Sequence, residues 1–139
     1  MSNTPGQGPF SLAPDSESKQ FYAAGAITKG QVVCLVTGLG ALSFEVSPAD
    51  SDGTNLDITV GVALEDIADN SWGRVCTSGY CAYVLTDGTV AAGDPLVPHT
   101  VAGEASVMAA GEEHLVFAHA LSTDTGTTEY CDAFILKRY

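Results

Sequence analysis

Short apolar stretches recur along this chain at intervals of roughly 8 to 12 residues, each closed by turn-forming residues, and that cadence leaves little room for anything but β-structure. A turn at Lys29-Gly30 leads into an apolar run over residues 31–37. In "ALSFEVS" the apolar residues alternate and place Leu42, Phe44 and Val46 on one face. The cleanest period-2 run is "LDITVGVAL", where Leu56, Ile58, Val60, Val62 and Leu64 point one way. It predicts a half-buried strand, with Gly61 and Ala63 leaving room on the other face for a second backbone. Further strands are expected over 73–77, 81–85, 95–98, 105–108, 113–121 and 129–136, divided by "SG", "DG", "AGD", "AGE" and "TDTGTT". Only Glu65 to Ala68 suits a helix, and a short one. The expected fold is all-β: a small β-sandwich or β-barrel-like domain.

One domain suffices for 139 residues, which can close a hydrophobic core without metals or disulfides. The first 20 residues stand apart. They hold three of the six prolines and almost no apolar periodicity, so residues 1–20 are expected to form an extended or flexible N-terminal arm and residues 21–139 the β-rich domain. Fully extended, the arm would reach about 65 Å, enough to embrace a neighbour. Its apolar and proline positions, Pro5, Pro9, Phe10, Leu12 and Pro14, are candidate partner-binding residues.

The net charge of -12 argues against nucleic acid, which needs a basic surface to displace counterions, and against anionic membranes. No stretch approaches the roughly 20 apolar residues of a membrane span. The N-terminus lacks the basic start and apolar run of a signal peptide, so a cytosol-like compartment is expected. Cys34, Cys76, Cys81 and Cys131 sit in apolar, strand-like surroundings without a C-x-x-C pair, which predicts buried, reduced thiols and no zinc site.

The acidic corner of "VGVALEDIADNSWGRVCTSG" gathers Glu65, Asp66 and Asp69 beside the only Trp. Adjacent Glu65 and Asp66 diverge to opposite faces if the strand continues, a poor start for a general acid and base. Asp69-Asn70-Ser71 is turn chemistry. The corner reads first as a connector and second as a partner-binding epitope, with Trp72 expected in the core. In "DSDGTNLD" the spacing fails the EF-hand pattern, which leaves only a weak cation site at Asp50, Asp52 and Asp57. There is no nucleophile elbow and no glycine-rich loop opening a helix. No catalytic residue, cofactor or metal is assigned, and the chain is not read as an enzyme.

The halves echo each other, as an internal duplication would produce. "AITKGQVVCLV" shares a plan with "TVAAGDPLVPH", matching Gly30 to Gly93, and "VGVALEDIADNSWGRVC" with "FAHALSTDTGTTEYC", matching Ala63-Leu64 to Ala120-Leu121 and Cys76 to Cys131. On this alignment "STDTGTT" keeps the corner and loses most of its acids.

The order "AITKGQVVCLV", "VGVALEDIADNSWGRVCTSG", "YVLTDG", "TVAAGDPLV" resembles the small capsid decoration, or cement, proteins of tailed phages. The resemblance covers residues 24–98 best and does not extend to the arm. It implies a structural virion protein, made in the host cytoplasm, that assembles as a homotrimer and binds the major capsid protein on the outer face of the phage head, stabilising it. "AITKGQVV" also resembles the opening of β-clip modules that accompany sugar-acid enzymes. That rival, or a carbohydrate-binding module acting in host attachment, is the alternative function.

Overall fold

The computed structural model describes residues 16–36, 45–48, 58–124 and 129–136. Among these the chain forms nine strands: β1 Glu17–Ala23, β2 Val32–Leu35, β3 Glu45–Pro48, β4 Thr59–Ala63, β5 Trp72–Leu85, β6 Pro95–Pro98, β7 Ala105–Val107, β8 Ala118–Ala120 and β9 Tyr130–Ile135. The fold is all-β, as expected. Closure abolishes the free edges that would otherwise invite aggregation. Strands run β1-β3-β2-β4-β5, and β5 returns to pair with β1, closing a five-stranded barrel in which only the β1–β3 contact, at Tyr22 and Ala23, is parallel.

The second half repeats this plan. From β5 the order continues β9-β8-β6-β7, and a parallel bridge from Thr86 to Ala105 brings β7 back to the end of β5. Strand by strand, β2, β3, β4 and the start of β5 correspond to β6, β7, β8 and β9, while the end of β5 takes the place of β1. One 14-residue strand therefore closes the first unit and opens the second.

Hydrogen bonds confirm the correspondence. Gly30 N–H donates to Ala63 O at 2.9 Å, and Gly93 N–H to Ala120 O at 2.8 Å. Leu64 N–H donates to Arg74 O and Leu121 N–H to Asp132 O. Gly30 and Gly93 both hold φ of 92°, a left-handed turn that favours glycine. The duplication is thus present in three dimensions, with one correction to its alignment. Val62 pairs with Cys76 and His119 with Phe134, so Phe134 rather than Cys131 stands where Cys76 does.

Two apolar cores lie on either side of one wall. Inside the first barrel pack Phe21, Ile27, Val33, Val46, Val60 and Val75. The second core is built from Val84, Val90, Leu96, Phe117, Ala133 and Ile135 of unit two, and it also takes in Val32, Cys34, Val62 and Cys76 from the outer face of unit one. Strand β4 is consequently buried along its whole length, not half-buried as its alternation suggested. A register shift between Val33 and Cys34, which pair with Gly61 and Thr59, leaves Val60 as an extra residue. That bulge sends Val60 and Val62 into different cores.

Other departures have local causes. Residues 17–20 lie within the stretch expected to be arm, yet they belong to β1; they are exposed and charged or polar, so no alternation marks them. "SG" at Ser78-Gly79 is not a turn: β5 runs through it, with Gly79 at φ 84°. Glu113–Leu115 forms a 3-10 turn, and β8 is confined to Ala118–Ala120. Residues 65–68 are not helical. No helix among the described residues is long and apolar enough to cross a membrane.

Candidate functional site

Each carboxylate of the acidic corner accepts a backbone N–H. Glu65 Oε2 takes Arg74 N–H at 2.9 Å, Asp66 Oδ1 takes Lys29 N–H at 2.8 Å, and Asp69 Oδ1 takes Gly25 N–H at 2.9 Å. They pin the corner to the strand that follows and to the turns before β2. Unit two reproduces the first two bonds with hydroxyls. Ser122 Oγ accepts Asp132 N–H at 2.9 Å and Thr123 Oγ1 accepts Ala92 N–H at 3.1 Å. The corner's geometry therefore needs an acceptor and not a charge. All three acidic residues are nonetheless exposed, so they present negative charge outward on a scaffold already fixed by their own bonds.

At the next position the units diverge. Ile27 and Ile67 exchange backbone bonds in unit one. In unit two the corresponding Asp124 is buried, and its Oδ2 accepts Val90 N–H at 3.0 Å and the Thr86 hydroxyl at 2.7 Å. These bonds satisfy a carboxylate that would be costly to bury alone.

Trp72 is 54% exposed and meets Tyr22 edge-on, with ring centroids 5.6 Å apart. This corrects its expected place in the core: at the start of β5 it lies on the face opposite Gly73, which packs against Ile67. Tyr83 stacks on Tyr130 at 4.0 Å and carries Lys29 Nζ 5.0 Å from its ring centroid. Tyr80 and Phe134, paired across β5 and β9, are both exposed, and Leu121 is exposed at the end of β8. The Tyr80 hydroxyl donates to Asp132 Oδ2 at 3.2 Å.

At the start of β1, Ser16 Oγ donates to Tyr80 O at 3.0 Å and Ser78 Oγ to Glu17 Oε1 at 3.1 Å. The candidate arm residues Pro5, Pro9, Phe10, Leu12 and Pro14 lie outside the described residues, as do Asp50, Asp52 and Asp57. Within the described residues no group of three or more His, Cys, Asp or Glu could hold a metal ion.

Sequence reasoning missed one cleft of about 270 Å³, lined by Asp87, Thr89, His99, Thr100, Ser106 and Glu112 among others. Its residues come from separate turns, so no spacing announces it. His99 Nδ1 lies 3.9 Å from Asp87 Oδ2, too far for a hydrogen bond. Asp87 Oδ1 already accepts the Thr89 hydroxyl at 2.6 Å.

All four cysteines are buried free thiols, as expected. Burial and nearby carboxylates push the Cys131 thiol up to about 12. A hydrogen bond with Cys81, together with burial, raises the Cys76 thiol, and the same bond lowers Cys81. Cys76 and Cys131 are thereby held as thiols, the poorly nucleophilic form.

Known structures share this fold. The chain resembles the head fiber gp8.5 N base of bacteriophage phi29 with a TM-score of 0.62 and 17% identity, over 87% of this chain and 94% of that one. It resembles a chain of the capsid of Myoviridae phage XM1 with a TM-score of 0.59 and 13% identity, over 88% and 84%. No family profile matches the chain, and no curated protein matches it in sequence. Both neighbours are components of phage heads, in line with the resemblance drawn from the sequence.

Proposed function

We propose that this chain is a structural protein of a phage particle, a decoration or cement protein that binds the outer face of the head and stabilises it as a homotrimer. The observation that carries the reading is the shared fold: nearly the whole chain follows the head fiber base and the capsid chain. A closed barrel and a negative surface suit a protein that must stay soluble at high copy number before docking.

Its contact with the major capsid protein has two parts. One is the arm expected over residues 1–20, whose Pro5, Pro9, Phe10, Leu12 and Pro14 would bind the shell. Glu65, Asp66 and Asp69 offer exposed carboxylates to a basic patch on the shell. Three arms per trimer would make binding multivalent, so that modest single contacts add up to tight attachment.

Co-sedimentation tests this. The protein should saturate on mature heads of the phage that encodes it and stay in the supernatant with free DNA. Removing residues 1–15 should leave the barrel folded and weaken head binding at least ~10-fold, since each lost contact of about 1.4 kcal/mol costs that factor. Binding to an oligosaccharide but not to heads would favour the carbohydrate-binding alternative.

A further inference from the structure

The internal repeat gives each unit the same wall, and the two walls differ in what covers them. In unit one, Val32 pairs with Val62 and Val62 with Cys76, forming a row across β2, β4 and β5. The row is at most 2% exposed because unit two's core sits on it. Leu64, just beyond it, packs on the same core.

The equivalent row in unit two is Pro95, His119 and Phe134, paired across β6, β8 and β9, with Leu121 in the place of Leu64. The opposite face of these strands, through Leu96, Ala118, Ala133 and Ile135, is fully used by unit two's own core. The row itself is not. Phe134 is 44% exposed and Leu121 49%, while His119 is exposed and Pro95 partly so. Tyr80, beside Phe134, extends the patch onto β5 at 40% exposure. Two aromatic rings and a leucine on one outward face form the kind of patch that marks an interaction site.

We propose that this row is a contact between copies of the chain, closed by the surface of a second copy where the row of unit one is closed by unit two. This gives a surface to the oligomer in the preceding reading and rests on that part of it. The occupant is argued from the repeat: the same row in unit one is closed by apolar side chains within the chain, and its exposed counterpart is an apolar surface that every copy carries. Charge agrees, since the row carries no carboxylate and the flanking Asp132 is hydrogen-bonded by Tyr80. In a chain of net charge -12, self-contact must avoid the acidic corners. A contact joining unlike surfaces of two copies closes into a ring when the rotation allows, and a trimer is one such ring.

Sedimentation equilibrium of the full chain tests the proposal. Wild type should weigh a multiple of 14.3 kDa. Phe134→Glu with Leu121→Glu, both at exposed positions, should keep the circular dichroism of the fold and weaken association at least ~30-fold, the effect of losing about 2 kcal/mol at a hot spot. Leu121→Lys alone should weaken it in the same direction, which guards against misfolding of the double variant. A wild type that stays at 14.3 kDa up to about 100 µM, where contacts of useful affinity are populated, overturns the proposal. So does a folded double variant of unchanged mass. If the double variant stays oligomeric but no longer binds heads, the row belongs to the shell contact and the proposal fails. If the masses behave as stated while wild type ignores heads, only the decoration reading fails.

Discussion

Glu65 and Ser122 hold equivalent backbone N–H groups with different chemistry, and the exchange says what each position requires. An exposed acceptor can lose its charge at little cost. Glu65→Ser should therefore change unfolding free energy by less than about 0.5 kcal/mol, because exposed side-chain bonds compete with water. Asp124 is the opposite case. Its Oδ2 satisfies Val90 N–H and the Thr86 hydroxyl inside unit two, so Asp124→Ala should cost about 1–3 kcal/mol by leaving buried donors unpaired. Urea denaturation of both variants checks the pair, and equal effects would contradict the distinction. Sequence alone supported the connector role of the corner, since the second half lacked most of its acids. It could not mark Asp124 as buried, because one Asp in "STDTGTT" looks like any other turn residue until a core is built around it. Trp72 failed for a related reason: an indole suits core and surface alike, and only the neighbouring Gly73 on Ile67 fixes the phase.

Strands with clean alternation and glycine turns were legible, and β6 falls on the expected residues. Those whose environment comes from the rest of the molecule were not. Strand β1 is exposed over its first four residues and is held by pairing to β5, a long-range property without a local pattern. Strand β4 alternates as though half-buried but lies between two cores, with a bulge shifting the phase inside it. Gly61 is the part of β4 that the sequence explained best, as a point of close backbone approach. A Cβ there would fall onto the Cys76 carbonyl oxygen, which belongs to the neighbouring strand and cannot swing aside. Gly61→Ala should destabilise the fold by about 3 kcal/mol or more, as backbone overpacking does. Thermal melts would show this, and a variant with wild-type stability would mean that β4 and β5 can separate without loss.

At the scale of the whole molecule, the two units share strand β5, and the core of unit two is completed by the outer wall of unit one, so opening either unit strips a buried face from the other. Unfolding should be a single transition. Trp72 reports unit one by fluorescence, and amide exchange at Phe117, whose N–H donates to Leu96 O, reports unit two. Both should give the same free energy, and a difference of more than about 1 kcal/mol would reveal separable units. The duplication was readable as a faint echo, yet its shared strand was not, since "TSGYC" looks like a break. The pairing of β1 adds a mechanical side to this architecture. Strand β1 begins at Glu17 and lies antiparallel along β5 from Ser78 back to Trp72. A pull on Glu17 directed along β1 loads these cross-strand bonds together in shear, so the strand would hold against sudden force better than a hairpin peeled open one pair at a time.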